Sequence, residues 1–123
     1  MTVWTTRLAA MLLVLLLLPA CAPAPAPDTE GAVTFRTRAV PLVGGFCSWF
    51  AEDQPGRPCV EGMDQVFAAE PGMRQEGSSE QLYEVVALVD VSLATRQNTA
   101  NPPQSSTVTV WTVTKVFSVS RVS

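Results

Sequence analysis

Hydrophobic and polar positions divide the chain into an apolar leader, a proline-rich spacer and a body with alternating strand-like runs. Residues 8–18 are apolar without interruption. From residue 31 onward, several runs alternate apolar and polar residues with a period of two, which is typical of strands that bury one face. We therefore expect a β-rich domain behind an N-terminal leader.

The first alternating run, residues 31–40, predicts a strand. The face expected to be buried carries Val33, Phe35, Thr37 and Ala39. The opposite face is polar and carries Thr34, Arg36 and Arg38. Pro41 lacks an N–H group and should end the ladder of hydrogen bonds.

Residues 60–70 are the best candidate for a helix. Apolar residues recur there at helical spacing, namely Val60, Met63, Val66 and Phe67. Glu61 and Asp64 lie near the positive end of the helix dipole, and Pro71 with Gly72 should stop the helix. Gly62 weakens this prediction by about 1 kcal/mol relative to Ala.

Residues 82–93 fit either of two patterns. As a strand, one face carries Tyr83, Val85, Ala87, Val89, Val91 and Leu93. As a helix, a stripe is formed by Leu82, Val85, Val86, Val89 and Leu93, and Ser78 with Gln81 offers a capping box. The complete, valine-rich strand face favours a strand, with the helix as the alternative.

The C-terminal run, residues 107–122, is rich in Thr, Val and aromatic residues and predicts a second long strand. Its apolar phase changes between Val110 and Trp111, which indicates a β-bulge. The loop at 98–106 contains two prolines and should join both long strands into an antiparallel hairpin. Together these elements predict an α+β fold, with a small antiparallel sheet of about three strands and one short helix. An all-β sandwich is the alternative.

The cysteines and the N-terminal pattern bear on location. Residues 8–18 follow Arg7 and are too short for a membrane span, which describes a secretory signal peptide. The sequence Leu18-Pro19-Ala20-Cys21 then resembles the lipobox of bacterial lipoproteins. That resemblance implies cleavage after Ala20 and acylation of Cys21. With Ala22 following the cysteine, it implies the periplasmic face of the outer membrane rather than the inner membrane.

Three segments follow from this assignment. Residues 1–20 form the signal peptide, and residues 21–30 form the lipidated cysteine and a tether whose Ala-Pro repeats favour extended polyproline II. Residues 31–123 form a single small globular domain. With Cys21 acylated, Cys47 and Cys59 remain as a pair in an oxidising compartment, and we expect them to form a disulfide.

Composition excludes several functions. The chain has no histidine, which excludes Ser-His-Asp and Cys-His catalysis and His-ligated metal sites. Loss of Arg7 leaves seven basic residues against eleven acidic ones, so nucleic acid is not an expected partner. No catalytic motif or cofactor motif is present, and we expect neither an enzyme nor a cofactor.

Aromatic and acidic residues supply the candidate sites. Trp49 and Phe50 beside Cys47 either pack on the disulfide or form a platform for a ligand, to which Trp111 could contribute. The carboxylates of Glu52, Asp53, Glu61 and Asp64 match no calcium loop and are expected to be solvated, with no metal site.

These observations predict a lipid-anchored, non-catalytic module of the bacterial cell envelope. Its expected role is to bind a partner protein and support the assembly of an envelope complex. The alternative is a lipoprotein that binds a small apolar ligand or a glycan through Trp49, Phe50 and Trp111.

Overall fold

A computed structural model describes residues 30–123 of the chain. The predicted signal peptide, Cys21 and the proline-rich tether up to residue 29 lie outside the described residues. The elements, in chain order, are β1 (Val33–Arg38), β2 (Cys59–Glu61), α1 (Met63–Ala69), a 3₁₀ turn (Pro71–Gln75), β3 (Leu82–Gln97) and β4 (Ser105–Arg121).

The four strands form one mixed sheet in the order β1-β3-β4-β2. β1 and β3, and β3 and β4, are antiparallel, whereas β2 runs parallel to β4. The prediction of a sheet with one short helix and one disulfide is therefore confirmed. The predicted three-stranded, fully antiparallel sheet is wrong, and the described residues form one sheet rather than the two facing sheets of the sandwich alternative.

The error arises at β2, because the predicted helix includes two of its three residues, Val60 and Glu61. Val60 pairs with Trp111 of β4, so it lies in the sheet and not in a helical stripe. The helix begins at Met63, and its buried side chains are Met63, Val66 and Phe67. The predicted apolar face is confirmed from Met63 onward, and the predicted start is three residues too early.

Gly62 lies where the chain passes from β2 into α1 and has a φ of 79°. A Cβ atom there would lie 2.7 Å from the carbonyl oxygen of Val113 in β4. Only glycine combines this left-handed conformation with so close an approach to another backbone. The residue that weakened the helix prediction is the one that permits the strand-to-helix turn.

β1 and the N-terminal half of β3 form the predicted strand faces. Phe35 and Thr37 of β1 are fully buried and pair with Val85 and Tyr83 of β3. Residues 82–97 are a strand, so the strand interpretation is confirmed and the helical alternative is wrong.

Two residues of the predicted buried face of β3 are exposed. Val91 and Leu93 have 63% and 74% of their surface exposed. β1 pairs with β3 only as far as Ala87, so beyond that residue β3 is flanked by β4 alone within the described part of the chain. The predicted face therefore continues past the end of the core.

β4 packs apolar side chains on both of its faces. Val110 pairs with Cys59 and is buried on the disulfide side, whereas Val113 belongs to the core that contains α1. This explains the change of apolar phase in the sequence. Two irregularities in the β3–β4 register do occur, but they lie further along β4, at Thr114 and Phe117.

Segment 49–52 joins the two edge strands of the sheet. Val60 N–H donates to the carbonyl of Trp49, and Ala51 N–H donates to that of Pro58, both at 2.9 Å. Glu52 N–H then donates to the carbonyl of Arg36 in β1 at 2.8 Å. The sheet therefore curls so that β1 and β2 are linked through this segment.

The predicted disulfide between Cys47 and Cys59 is confirmed, with Cα atoms 5.7 Å apart. It fixes the loop that precedes segment 49–52 to the first residue of β2. Cys59 is buried, and its neighbour on β4 is Val110.

Replacing both cysteines by serine is expected to lower the free energy of unfolding by about 3 kcal/mol, because the crosslink restricts the unfolded chain. Urea denaturation of the double variant and the oxidised parent measures the difference. Ser48→Ala, next to Cys47, serves as the control. Its free energy of unfolding should lie within about 0.5 kcal/mol of that of the parent, as is usual for surface substitutions. Equal stability of the double variant and the parent would contradict the prediction.

A polar network fixes the loop before β3 to the end of the hairpin. The Tyr83 hydroxyl donates to Glu76 Oε2 at 2.9 Å, and Arg121 Nε lies 3.3 Å from the same oxygen. The bond from Tyr83, aided by Arg121, lowers the pKa of the Glu76 carboxyl. Burial, followed by the bond to Glu76, raises the pKa of Tyr83. The ionised form of Glu76 is thus the one that the fold favours.

Candidate functional site

A cleft of about 380 Å³ opens between the end of β1 and segment 49–52. Two of the three predicted aromatic site residues line it, Trp49 and Phe50. Its polar side chains include Arg38, Glu52 and Arg57, and Leu42 contributes an apolar wall. We call it the arginine cleft.

Glu52 holds the two arginines of the cleft together. Arg38 Nε lies 3.3 Å from Glu52 Oε1, and Arg57 Nη2 lies 2.8 Å from Glu52 Oε2. The Glu52 side chain is only 16% exposed, whereas both arginines are more accessible. The carboxylate therefore acts as a partly buried spacer between two guanidinium groups that line the cleft.

Arg57 adopts an unusual backbone conformation for a residue with a side chain, with a φ of 44°. Its N–H donates to the carbonyl of Gln54 at 3.0 Å, which closes a turn. The guanidinium lies over the ring of Phe50, 4.6 Å from the centroid. A left-handed non-glycine residue costs energy, and here the ion pair with Glu52 and the ring contact hold it in place.

Trp49 is both packed and accessible. Its Nε1–H donates to the carbonyl of Ala39 at 3.4 Å, and its ring meets the ring of Phe67 edge-on at 5.8 Å. It still lines the arginine cleft. One side of Trp49 therefore packs on Phe67, and another side is accessible from the cleft.

Trp111 lies apart from this cleft. Its ring packs edge-on against Phe35, with the ring centroids 5.8 Å apart, and it borders the core. The structure therefore brings together two of the three aromatic residues that the sequence suggested as a binding surface, and gives Trp111 a packing contact instead.

The four predicted carboxylates occupy separate places. Asp53 Oδ1 accepts the N–H of Arg36 at 2.8 Å, and Glu61 forms two hydrogen bonds of 2.8 Å with Arg96. Asp64 lies exposed in the first turn of α1. Within residues 30–123, no three histidine, cysteine or carboxylate side chains gather closely enough to hold a metal ion.

A second candidate feature is the side of β3 that faces away from β4. Hydrogen bonds at both ends of the β3–β4 hairpin show which backbone groups of β3 point toward β4 and which point away. Val122 N–H donates to the carbonyl of Leu82, and Asn98 N–H donates to that of Gln104, each at 3.0 Å. Backbone groups of an antiparallel strand point alternately to its two sides. The backbone N–H and C=O groups of even-numbered residues of β3 therefore point toward β4, and those of odd-numbered residues point away from it.

Beyond Ala87, which lies opposite the first residue of β1, the outward backbone groups have no hydrogen-bond partner among the described residues until Thr95. There, Arg96 Nη1 donates to the Thr95 carbonyl at 3.1 Å. We call the stretch between these points the open edge. It consists of Val89, Val91 and Leu93.

Sequence reasoning missed both arginines of the cleft and the exposure of the edge. Arg38 follows the buried run of β1, and Arg57 lies between Gly56 and Pro58, a turn context that could have indicated a fixed, projecting side chain. Nothing local distinguishes Val91 and Leu93 from Val85, because their exposure depends on where β1 begins.

None of the helical segments in residues 30–123 has the length and apolar character needed to cross a bilayer. No family model matches the chain, and no curated protein or solved structure matches it either.

Proposed function

We propose that this protein is a lipid-anchored, non-catalytic module of the cell envelope that binds a partner protein along the open edge of β3. The observation that carries the proposal is the set of backbone groups at Val89, Val91 and Leu93 that have no hydrogen-bond partner among residues 30–123, next to two exposed apolar side chains. The anchor is the acylated Cys21 that the lipobox resemblance implies.

An extended peptide is the occupant that fits such an edge. Its own N–H and C=O groups would complete the hydrogen bonds of the odd-numbered residues, and its side chains would cover Val91 and Leu93. Proteins usually protect exposed edges with proline, lysine or a bulge in the strand. The sequence from Leu88 to Leu93 contains none of these, and β3 itself is regular.

The charge of Asp90 indicates which side chains the partner strand should carry. Asp90 is exposed beside the open edge and has no ion-pair partner among residues 30–123. A strand that carries a lysine or arginine opposite Asp90 would pair with this carboxylate. We therefore expect a partner segment with apolar residues on one face and a basic residue on the other.

The carboxylates support a binding role rather than catalysis. Glu52 and Glu61 are each held by arginine side chains, and Asp53 accepts a backbone hydrogen bond. Carboxylates engaged in this way serve to fix loops and strands, and they are poorly placed to exchange protons with a substrate.

A photo-reactive amino acid at position 93 of the full-length protein, in its native membranes, is expected to give one adduct of a single size. The same amino acid at Val43, which is 88% exposed and lies in the loop before segment 49–52, is the matched control and should not give this adduct. Mass spectrometry should place the crosslink in an extended partner segment with a basic residue. The same adduct from both positions would contradict the proposal.

Val91→Pro is expected to reduce the yield of the position-93 adduct at least tenfold. Proline removes the outward N–H of Val91 and leaves the hydrogen bonds to β4 intact, since those come from even-numbered residues. Val91→Thr keeps the N–H and should retain the adduct. Thermal unfolding of both variants checks that the fold is preserved, and an adduct unaffected by proline would overturn strand addition.

A further inference from the structure

The arginine cleft contains hydrogen-bond donors that have no acceptor in the part of the chain that the structure describes. Arg57 donates to Glu52 through Nε and Nη2, at 3.1 and 2.8 Å, and its Nη1 has no acceptor among the described residues. Arg38 contacts Glu52 through Nε, and its Nη1 donates to the carbonyl of Ser79 at 2.8 Å and lies 3.7 Å from Glu80 Oε2. Its Nη2 has no acceptor in the same part of the chain.

Two guanidinium groups and one carboxylate line the cleft. A second carboxylate, that of Glu80, has its Oε2 3.7 Å from Arg38 Nη1, and its side chain is 85% exposed. An exposed ion pair of this kind contributes little free energy, so Glu80 leaves the guanidinium groups available to an anion. Both oxygens of Glu52 are already engaged by the arginines. An incoming anion would therefore meet donors that are fixed in position, which lowers the entropic cost of binding.

One wall of the cleft is apolar and accessible. Leu42 is 51% exposed and lies beside Pro41 and the half-buried ring of Trp49. A volume of about 380 Å³ lies within the range of small-molecule sites, which combine apolar walls with a few convergent polar groups. The cleft thus offers a charged end and an apolar side to the same ligand.

We propose that the arginine cleft binds a small organic anion in which one carboxylate or phosphate group is joined to an apolar body. The anionic group accepts hydrogen bonds from the free Nη atoms of Arg38 and Arg57, and the apolar body rests on Leu42 and Trp49. This site is distinct from the open edge of β3, so its proposal does not depend on partner binding there. A neutral glycan would use the aromatic wall but not the charge of the two guanidinium groups.

The test uses full-length protein in nanodiscs of neutral phospholipid, labelled with 5-fluorotryptophan, with the ¹⁹F resonances of Trp49 and Trp111 assigned by Trp→Phe variants. Four probes share one apolar body: 3-phenylpropanoate, 3-phenylpropyl phosphate, 3-phenylpropan-1-ol and 3-phenylpropylamine. We expect saturable shifts of the Trp49 resonance with the two anions and at least tenfold weaker binding of the alcohol and the amine. The Trp111 resonance should not move.

The two anionic probes distinguish the sources of the ligand. Tighter binding of the carboxylate indicates a fatty or aromatic acid, and tighter binding of the phosphate indicates a phosphorylated metabolite or lipid head group. Either result supports the proposal. Methyl glucoside serves as a fifth, neutral sugar probe. If the alcohol or methyl glucoside bound as tightly as the anions, the proposal would be overturned, since the site would then recognise an apolar body or a sugar.

Variants separate the cleft from general electrostatics. Arg38→Gln and Arg57→Gln should each weaken binding of the anions at least tenfold, whereas Arg121→Gln removes the same charge at a distance and should leave the affinity unchanged. Leu42→Asp places a negative charge at an exposed position of the cleft and should also abolish binding, even if an arginine variant fails to fold. Unchanged binding by Leu42→Asp, or equal weakening by Arg121→Gln, would refute the site.

Discussion

Gly62→Ala is expected to lower the free energy of unfolding by about 3 kcal/mol. A left-handed conformation costs a residue with a Cβ about 1–2 kcal/mol. The new methyl group would also lie 2.7 Å from the carbonyl oxygen of Val113, and overpacking of this kind costs about 1–3 kcal/mol. Val113 is a buried residue of a central strand, so neither side of the contact can move without disturbing the core.

Gly56→Ala separates the two contributions. Gly56 has a φ of 75°, close to that of Gly62, but a Cβ there would meet no atom within 4 Å. This variant should lose only the conformational part, about 1–2 kcal/mol. Urea denaturation followed by tryptophan fluorescence measures both variants, and the m-value shows whether unfolding remains two-state. Equal losses for both glycines would show that the approach to Val113 has no energetic effect.

Cys21→Ala is expected to move the protein from the membrane fraction to the soluble fraction. Each CH₂ group of an acyl chain buried in the bilayer contributes about 0.8 kcal/mol, and two chains suffice for stable anchoring. Without the thiol no diacylglycerol can be attached. Fractionation of cells, together with incorporation of a labelled fatty acid, measures the change.

Ala24→Ser is the control for this prediction, because it alters the tether and leaves Cys21 intact. It should remain membrane-bound and labelled. If Cys21→Ala stayed in the membrane fraction without label, the protein would be held there by something other than acyl chains, and the lipobox interpretation would be wrong.

Patterns confined to one segment predicted the structure well. Alternation placed Phe35 and Val85 on buried faces, and the valine content of residues 82–93 identified a strand. The pairing of Cys47 with Cys59 followed from an even number of thiols once Cys21 was assigned to the lipid. In the first two cases the physical cause acts within a few residues, and the third depends only on the number of cysteines. All three can therefore be read from the sequence.

Features that depend on contacts between segments were not predictable in the same way. β2 has three residues, and it is a strand because β4 offers it a parallel neighbour at Trp111. The cleft arises because segment 49–52 brings Glu52 between Arg38 and Arg57, which are far apart in the sequence. The open edge exists because β1 starts opposite Ala87, so the exposure of Leu93 is decided by a strand that lies elsewhere in the chain.

The start of β1 also determines how the chain enters the domain. A Cβ atom added to Gly31 would lie 3.8 Å from the Leu88 side chain. The N-terminal connection therefore arrives directly beside the open edge. In a protein anchored at Cys21, the eight residues 22–29 extend at most about 29 Å, at about 3.6 Å each. The strand that we propose accepts a partner would then be confined to a thin layer next to the bilayer. Its encounters would follow two-dimensional diffusion, and segments that project far from the membrane would be out of its reach.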